Sequence, residues 1–417
     1  MGHRSIDTAE DESEVFGDSS SMSFPVGSSA GFAHLVDALS RAEAPKRPRR
    51  AAGRPAELAP PEDALAQAMA LADEGRFDES VALCLRHRPG WLAAADATRL
   101  GQCDFLILRG HQSSGRSRDA VEAGFRALNW FGYVDQPAMR LYTYGLLALA
   151  LACVGDAAKA FEILDHGQRL LPTLQDGGLY RALFFSYSGS TLTTCGQTAE
   201  AAAAFERSLQ HLDAEQEPTR HRIVMQNLLS MKLALAFERS GGSDTAEIRE
   251  LLSTYRAYAE RDRAAGHFIS IAKNAEPIGD AYWRLGELAE ARAVLLDGIR
   301  AAEIAKAGPD RGLLLWRLAR LDRIAGNYRS ASATLAMAIE LLGEGQQMGE
   351  LAAAHLEAAT LHEERQRWRA AVDSLREHLR IRENVLKSQM EARMRSLRVQ
   401  LDIANERAAF DEALGTA

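Results

Sequence analysis

The sequence predicts an all-α chain, a solenoid of about eight stacked helical hairpins followed by one long helix. Three observations carry this. From residue 61 onward apolar side chains recur at spacings of three and four, and no stretch alternates in the manner of a strand. Glycines return at a near-constant interval: Gly75, Gly115, Gly155, Gly196, Gly241, Gly286 and Gly326 are separated by 40, 40, 41, 45, 45 and 40 residues, and Gln366 follows 40 later. Small residues keep step with them. Five positions after each turn stand Ser80, Ala120, Ala160, Ala201, Ala246, Ala291, Ala331 and Ala371; seven positions before stand Ala68, Leu108, Ala148, Gly189, Ala234, Gly279, Ala319 and Ala359.

The elements follow in chain order. Residues 1–60 are an acidic, serine-rich segment and then a basic, proline-bearing one ("APKRPRRAAGRP"), a tail too polar to offset its ordering entropy and therefore expected to be disordered. Within it "GFAHLVDALSRA" sets Phe32, Leu35, Val36 and Leu39 on one helical face, a segment able to dock on a partner or on the first repeat. The hairpin array occupies 61–380. In each unit glycine ends the first helix by adopting a left-handed conformation at little cost. The small residues on either side allow the two backbones to cross closely. Nine positions past the turn, Cys84, Leu164, Phe205, Leu295, Leu335 and Leu375 supply bulk, expected to fill the layer against the next repeat; Gly124 and Glu250 break that column. Pro137, Pro218 and Pro309 punctuate the far ends of three repeats.

Small residue, turn glycine, aromatic two later and alanine five later, as in "GRFDES", "GNYRSA" and "QRWRAA", resembles the tetratricopeptide repeat. The resemblance implies a right-handed solenoid with a concave inner surface. Its units of 40 to 45 residues exceed the family length of about 34, implying helices longer by a turn or more, as in the long-helix variant of bacterial regulators. In that family the first helix of each hairpin lines the groove. Carried over by register, groove positions fall on Lys273, Glu276, Asp280 and Trp283 in the sixth repeat and on Trp316, Arg320 and Arg323 in the seventh. In the second they fall on Gln102, Phe105, Arg109 and Gln112. Two tryptophans beside mixed charge suit a peptide or protein segment, aromatic area giving affinity and ion pairs giving orientation. The competing reading packs the tryptophans between repeats.

From Trp368 on there is no proline or glycine until Gly415, and Val372, Leu375, Leu379, Leu386, Met390, Met394, Leu397 and Leu401 form an apolar stripe, with one four-four stutter at Met390 to Met394. Residues 381–417 are expected to extend as a signalling or coiled-coil helix that joins two copies through Leu379, Leu386, Met390, Met394, Leu397 and Leu401. The alternative is packing along the chain's own solenoid. A long-repeat array running into such a helix also resembles the sensory half of bacterial diguanylate cyclases. That resemblance implies a sensor whose output domain, with its Gly-Gly-Asp/Glu-Glu-Phe motif, is absent from this sequence, so no catalytic residue carries over.

Composition narrows the function further. A net charge of -8 argues against non-specific nucleic-acid binding, and the polar, acidic N-terminus predicts a cytoplasmic protein. The longest apolar run, "LYTYGLLALALACV", is shorter than the about 20 residues that cross a bilayer. Cys84, Cys103, Cys153 and Cys195 are spaced neither for a disulfide framework nor for a metal and read as small core residues. No phosphate loop, GxSxG or HExxH is present, and His355 and His362 with Glu363 and Glu364 read as solvated positions. The sequence therefore predicts no catalytic residue, metal or cofactor. It predicts a binding scaffold in bacterial regulation, with a sensor module lacking its output domain and a quorum-type peptide receptor as alternatives.

Overall fold

The computed structural model describes residues 64–415 apart from 175–176, 241–244 and 346. The expected disordered tail, its helical segment and Gly241 lie outside the described residues. Among the described residues sixteen α-helices run in pairs: α1 (Ala64–Asp73) and α2 (Phe77–Ala93), α3 (Ala97–Ser113) and α4 (Ser117–Phe131), α5 (Pro137–Cys153) and α6 (Ala157–Leu170), α7 (Gly178–Thr194) and α8 (Thr198–Leu209). The array continues with α9 (Pro218–Ser240) and α10 (Thr245–Ala264), α11 (Phe268–Arg284) and α12 (Leu288–Ile304), α13 (Gly308–Ile324) and α14 (Tyr328–Glu344), α15 (Met348–Glu364) and α16 (Trp368–Gly415). No strand occurs among the described residues. Each helix packs on its partner and on the neighbouring pair, so the chain is a right-handed all-α solenoid of eight hairpins.

The turn chemistry follows the glycine series. Gly75, Gly115, Gly155, Gly196, Gly286 and Gly326 have φ between 73 and 80°, and Gln366 takes the same region at φ 56°. The small columns meet where the helices cross: Ser80 donates its hydroxyl to the Ala68 carbonyl at 2.6 Å. The bulky column touches the small column of its own hairpin as well as the next repeat: at the same column position a Cβ on Gly124 would meet Leu147 of α5 at 2.8 Å. A Cβ on Gly189 would meet the Phe205 ring at 2.6 Å, and one on Gly279 would meet Leu295 at 2.9 Å. Pro137 and Pro218 open α5 and α9, and Pro309 lies in the first turn of α13, where a missing N–H costs no helical bond.

The fifth hairpin departs from the expected register. Ala246 and Glu250 are exposed, whereas Ile248 and Leu252, two residues later, are buried. Of the cysteines, Cys84 and Cys103 are buried, but Cys153 is exposed and Cys195 half-buried at the ends of α5 and α7. His355 and His362 are half-buried, not solvated as expected.

The last helix does two things. It forms the second arm of the eighth hairpin, and it continues without a break at residue 381 back to the start of the array. There Phe410 lies 5.0 Å from both the Trp130 and Tyr133 rings of α4 and its following turn. Ala392 and Phe410 join the apolar core of the first four hairpins. Arg393 donates to the Gly155 carbonyl at 2.7 Å, Glu406 pairs with Arg88 at 3.2 Å, and the Tyr133 hydroxyl donates to Asp411 at 2.7 Å. The far end of the helix thus packs on its own solenoid. It does so through Ile381, Ala392, Val399 and Phe410, which at about 100° per residue lie about 180° around the helix from the expected dimerisation stripe. Leu379, Leu386, Met390, Met394 and Leu397 of that stripe are exposed; the Leu401 side chain lies outside the described residues.

Candidate functional site

Seven of the eleven predicted groove residues come together on two adjacent first helices. On α11, Lys273, Glu276, Asp280 and Trp283 are spaced three, four and three apart, one helical face; on α13, Trp316, Arg320 and Arg323 share the facing stripe. The faces interlock through charge. Arg317 donates to Glu276 at 2.6 Å, and Arg320 lies with its guanidinium carbon 4.2 Å from the Trp283 ring centre. Arg323 pairs with Glu357 at 2.5 Å and also with Glu364, both on α15, so three successive first helices are tied into one strip. Asp280 is held by Arg284 at 2.7 Å, one turn along its own helix.

Burial shapes the electrostatics of this strip. Desolvation pulls the Lys273 ammonium below its ordinary value and is opposed by the charge of Asp310. Desolvation likewise pushes the Asp310 carboxyl up, opposed by Lys273. Arg320 is also shifted down by desolvation, with Glu357 and Asp280 opposing and Arg317 and Arg323 adding to the shift. The two tryptophans differ. Trp283 is half-buried, whereas Trp316 is only 7% exposed, packed in the core beneath Arg317 at 4.3 Å. Its indole Nε1 has no hydrogen-bond partner.

Phe105 and Arg109 are not part of this strip. Phe105 is 1% exposed and packs 4.8 Å from Tyr142, which stacks on Tyr187 at 5.8 Å. Arg109 is buried and pairs with Asp73 at 3.1 Å. Desolvation raises the Asp73 carboxyl; the charges of Arg109 and of Arg220, on α9, oppose it. Phe105 and Arg109 are therefore covered by aromatic and ionic partners of their own, whereas Lys273, Glu276, Asp280, Trp283, Arg320 and Arg323 of hairpins six and seven stay half-exposed.

Register missed four participants: Arg317, Glu357, Glu364 and Asp310. The sequence held one signal, since Glu357 and Glu364 are seven apart and so share a face of α15. Among the described residues no cluster of His, Cys, Asp or Glu is arranged to hold a metal, and no helix is long and apolar enough to cross a membrane.

Hairpin pairing, turn geometry and continuous stacking define the class, a tetratricopeptide-like helical-repeat solenoid. No protein-family model matches the chain, and no curated protein sequence matches it. Among solved structures, a Rap protein complexed with competence and sporulation factor is similar with a TM-score of 0.52 at 13% identity, over 78% of this chain and 98% of that one. Aspartyl phosphate phosphatase F from Bacillus subtilis is similar with a TM-score of 0.50 at 12% identity, over 76% of this chain and 79% of that one. At such identity the likeness is one of fold.

Proposed function

We propose that this chain is a non-enzymatic regulatory scaffold that takes a peptide segment onto the inner surface of hairpins six to eight. The observation that carries this is the Trp283–Arg320 stack set among ion pairs on three adjacent first helices. Half-buried aromatic area gives a ligand apolar contact, and the surrounding charge fixes its direction. A Rap protein of similar fold accommodates competence and sporulation factor, which supports a quorum-type receptor as the specific form of this reading. The test is capture of a synthetic hexapeptide pool on the immobilised protein, read by mass spectrometry. Wild type retains a discrete subset, Trp283→Ala loses it by about tenfold or more, and equal retention by both rejects the site.

We also propose that two copies pair through α16. With no hairpin described beyond it, Leu375 is 41% exposed, whereas its counterparts Leu164, Phe205, Leu295 and Leu335 are 5% or less. The uncovered face continues to Met390 and Met394, 68% and 73% exposed. Val372, Leu375, Leu379, Leu386, Met390, Met394, Leu397 and Leu401 stay on one straight line at a period close to 3.6, so the matching surface is another straight helix, and the same helix of a second copy supplies one of equal length. Deleting 381–417 would strip Phe410 from the core, so substitutions make the cleaner test. Light scattering should give a dimer for the full chain and a monomer for Met390→Glu/Met394→Glu; a monomeric wild type rejects the pairing. The reading as a sensory half that drives an output domain gains less support, because the end of α16 lies along the solenoid, not away from it.

A further inference from the structure

We infer that Arg320 is the anion-recognition point of the groove and that the peptide it accepts presents a carboxylate there. The inference deepens the peptide-binding reading and rests on it. Each neighbouring guanidinium is already matched: Arg317 by Glu276, Arg323 by Glu357 and Glu364, Arg284 by Asp280. Arg320 is the exception. It lies over the Trp283 ring at 4.2 Å, and its buried Nε has no hydrogen-bond partner. The carboxylates whose charge reaches it, Glu357 and Asp280, are committed to Arg323 and Arg284.

A second observation points the same way. Trp316, on the same face of α13 one turn earlier, holds its indole N–H in the core without an acceptor. The Nε atoms of Arg320 and of its neighbour Arg317 and the Trp316 indole N–H are all donors without a hydrogen-bond partner, and none of these side chains can accept. What the site lacks is an acceptor. A carboxylate supplies two oxygens in the plane of a guanidinium fork, and stacking on an indole leaves that fork's edge open for a bidentate bond. Burial sharpens the preference, because the desolvation that disfavours the unmatched cation is relieved when an anion arrives beside it.

The carboxylate has two possible sources in a peptide, its C-terminus or an Asp or Glu side chain. Three synthetic hexapeptide pools separate them: free C-termini without Asp or Glu, amidated C-termini with Asp or Glu, and amidated C-termini without either. Affinity is read by quenching of tryptophan fluorescence and checked by calorimetry. The inference expects one or both acid-bearing pools to bind and the neutral amidated pool to bind about tenfold or more weakly. Arg320→Gln should abolish that difference and Arg320→Lys restore part of it, with both variants melting like wild type. Equal binding of all three pools overturns the carboxylate inference and leaves the peptide groove standing. Binding of none overturns both.

Discussion

Phe410→Ala probes the contact that brings the two ends of the array together. Phe410 is 5% exposed and lies against two rings, Trp130 and Tyr133, each 5.0 Å away. Truncating a buried phenylalanine costs about 3–5 kcal/mol. What remains is mainly polar: Arg88 with Glu406 at 3.2 Å, Tyr133 with Asp411 at 2.7 Å, Arg393 with the Gly155 carbonyl at 2.7 Å, and the longer Arg395–Asp119 and Arg393–Asp156 pairs, contacts worth about 0–1.5 kcal/mol each. The Val399 and Ala392 contacts are smaller side chains. The substitution removes the main apolar anchor of this seam, so the end of α16 should undock far more often, without unfolding hairpins five to eight, whose core is separate. Native-state hydrogen exchange reads this directly. Amides beyond about residue 390 should exchange about two to four orders of magnitude faster, while those of α11 to α14 keep their protection. Unchanged exchange in α16 would refute the reasoning, because the helix would then be held by something other than the aromatic slot.

Three further outcomes follow from local geometry. Asp104 is buried and accepts from Arg88 at 2.8 Å and from the Trp130 indole at 3.0 Å; Asp104→Asn should cost about 1.5–3 kcal/mol in chemical denaturation by leaving Arg88 with Glu406 as its one anionic partner, and a loss under about 1 kcal/mol would contradict it. Gly196 has open space where a Cβ would project, so Gly196→Ala isolates the left-handed backbone cost at about 1 kcal/mol, whereas Gln366→Gly should gain a similar amount; thermal melts giving both changes the same sign would reject the turn assignment. Desolvation lowers the imidazoles of His111, His211, His355 and His362, and His111 accepts from Arg116 at 3.0 Å only while neutral. Their folded-state values lie below the unfolded value of about 6.5, so on acidification the unfolded chain takes protons first. Stability should therefore fall as pH drops through about 6.5, and His111→Asn should flatten part of the slope; a melting temperature rising from pH 7.5 to 5.5 would contradict this.

The hairpins were legible because glycine and alanine leave a spacing that only a repeated helix crossing produces. Legibility failed where a second constraint intervened. In the fifth hairpin a two-residue slip put Ile248 and Leu252 inside, and the charged Glu250 in the bulky column was its trace in the sequence. The groove strip on α11 and α13 could be placed by register because its residues lie on single helical faces. Phe105 and Arg109 obeyed the same register, yet Tyr142, Tyr187 and Asp73 cover or pair with them, a matter of superhelical closure that local spacing does not encode. The docking face of α16 was hidden for a similar reason. Ile381, Ala392, Val399 and Phe410 recur at 11, 7 and 11 residues beneath a far stronger stripe on the opposite side. The partners of Phe410, Trp130 and Tyr133, are more than 250 residues away in the chain.

The location of the groove is tested most directly by hydrogen exchange with and without a saturating captured peptide. Occupation of the inner strip predicts slowed exchange along α11, α13 and α15, with α12 and α14 unchanged. Protection confined to α12 and α14, or to the first four hairpins, would contradict it.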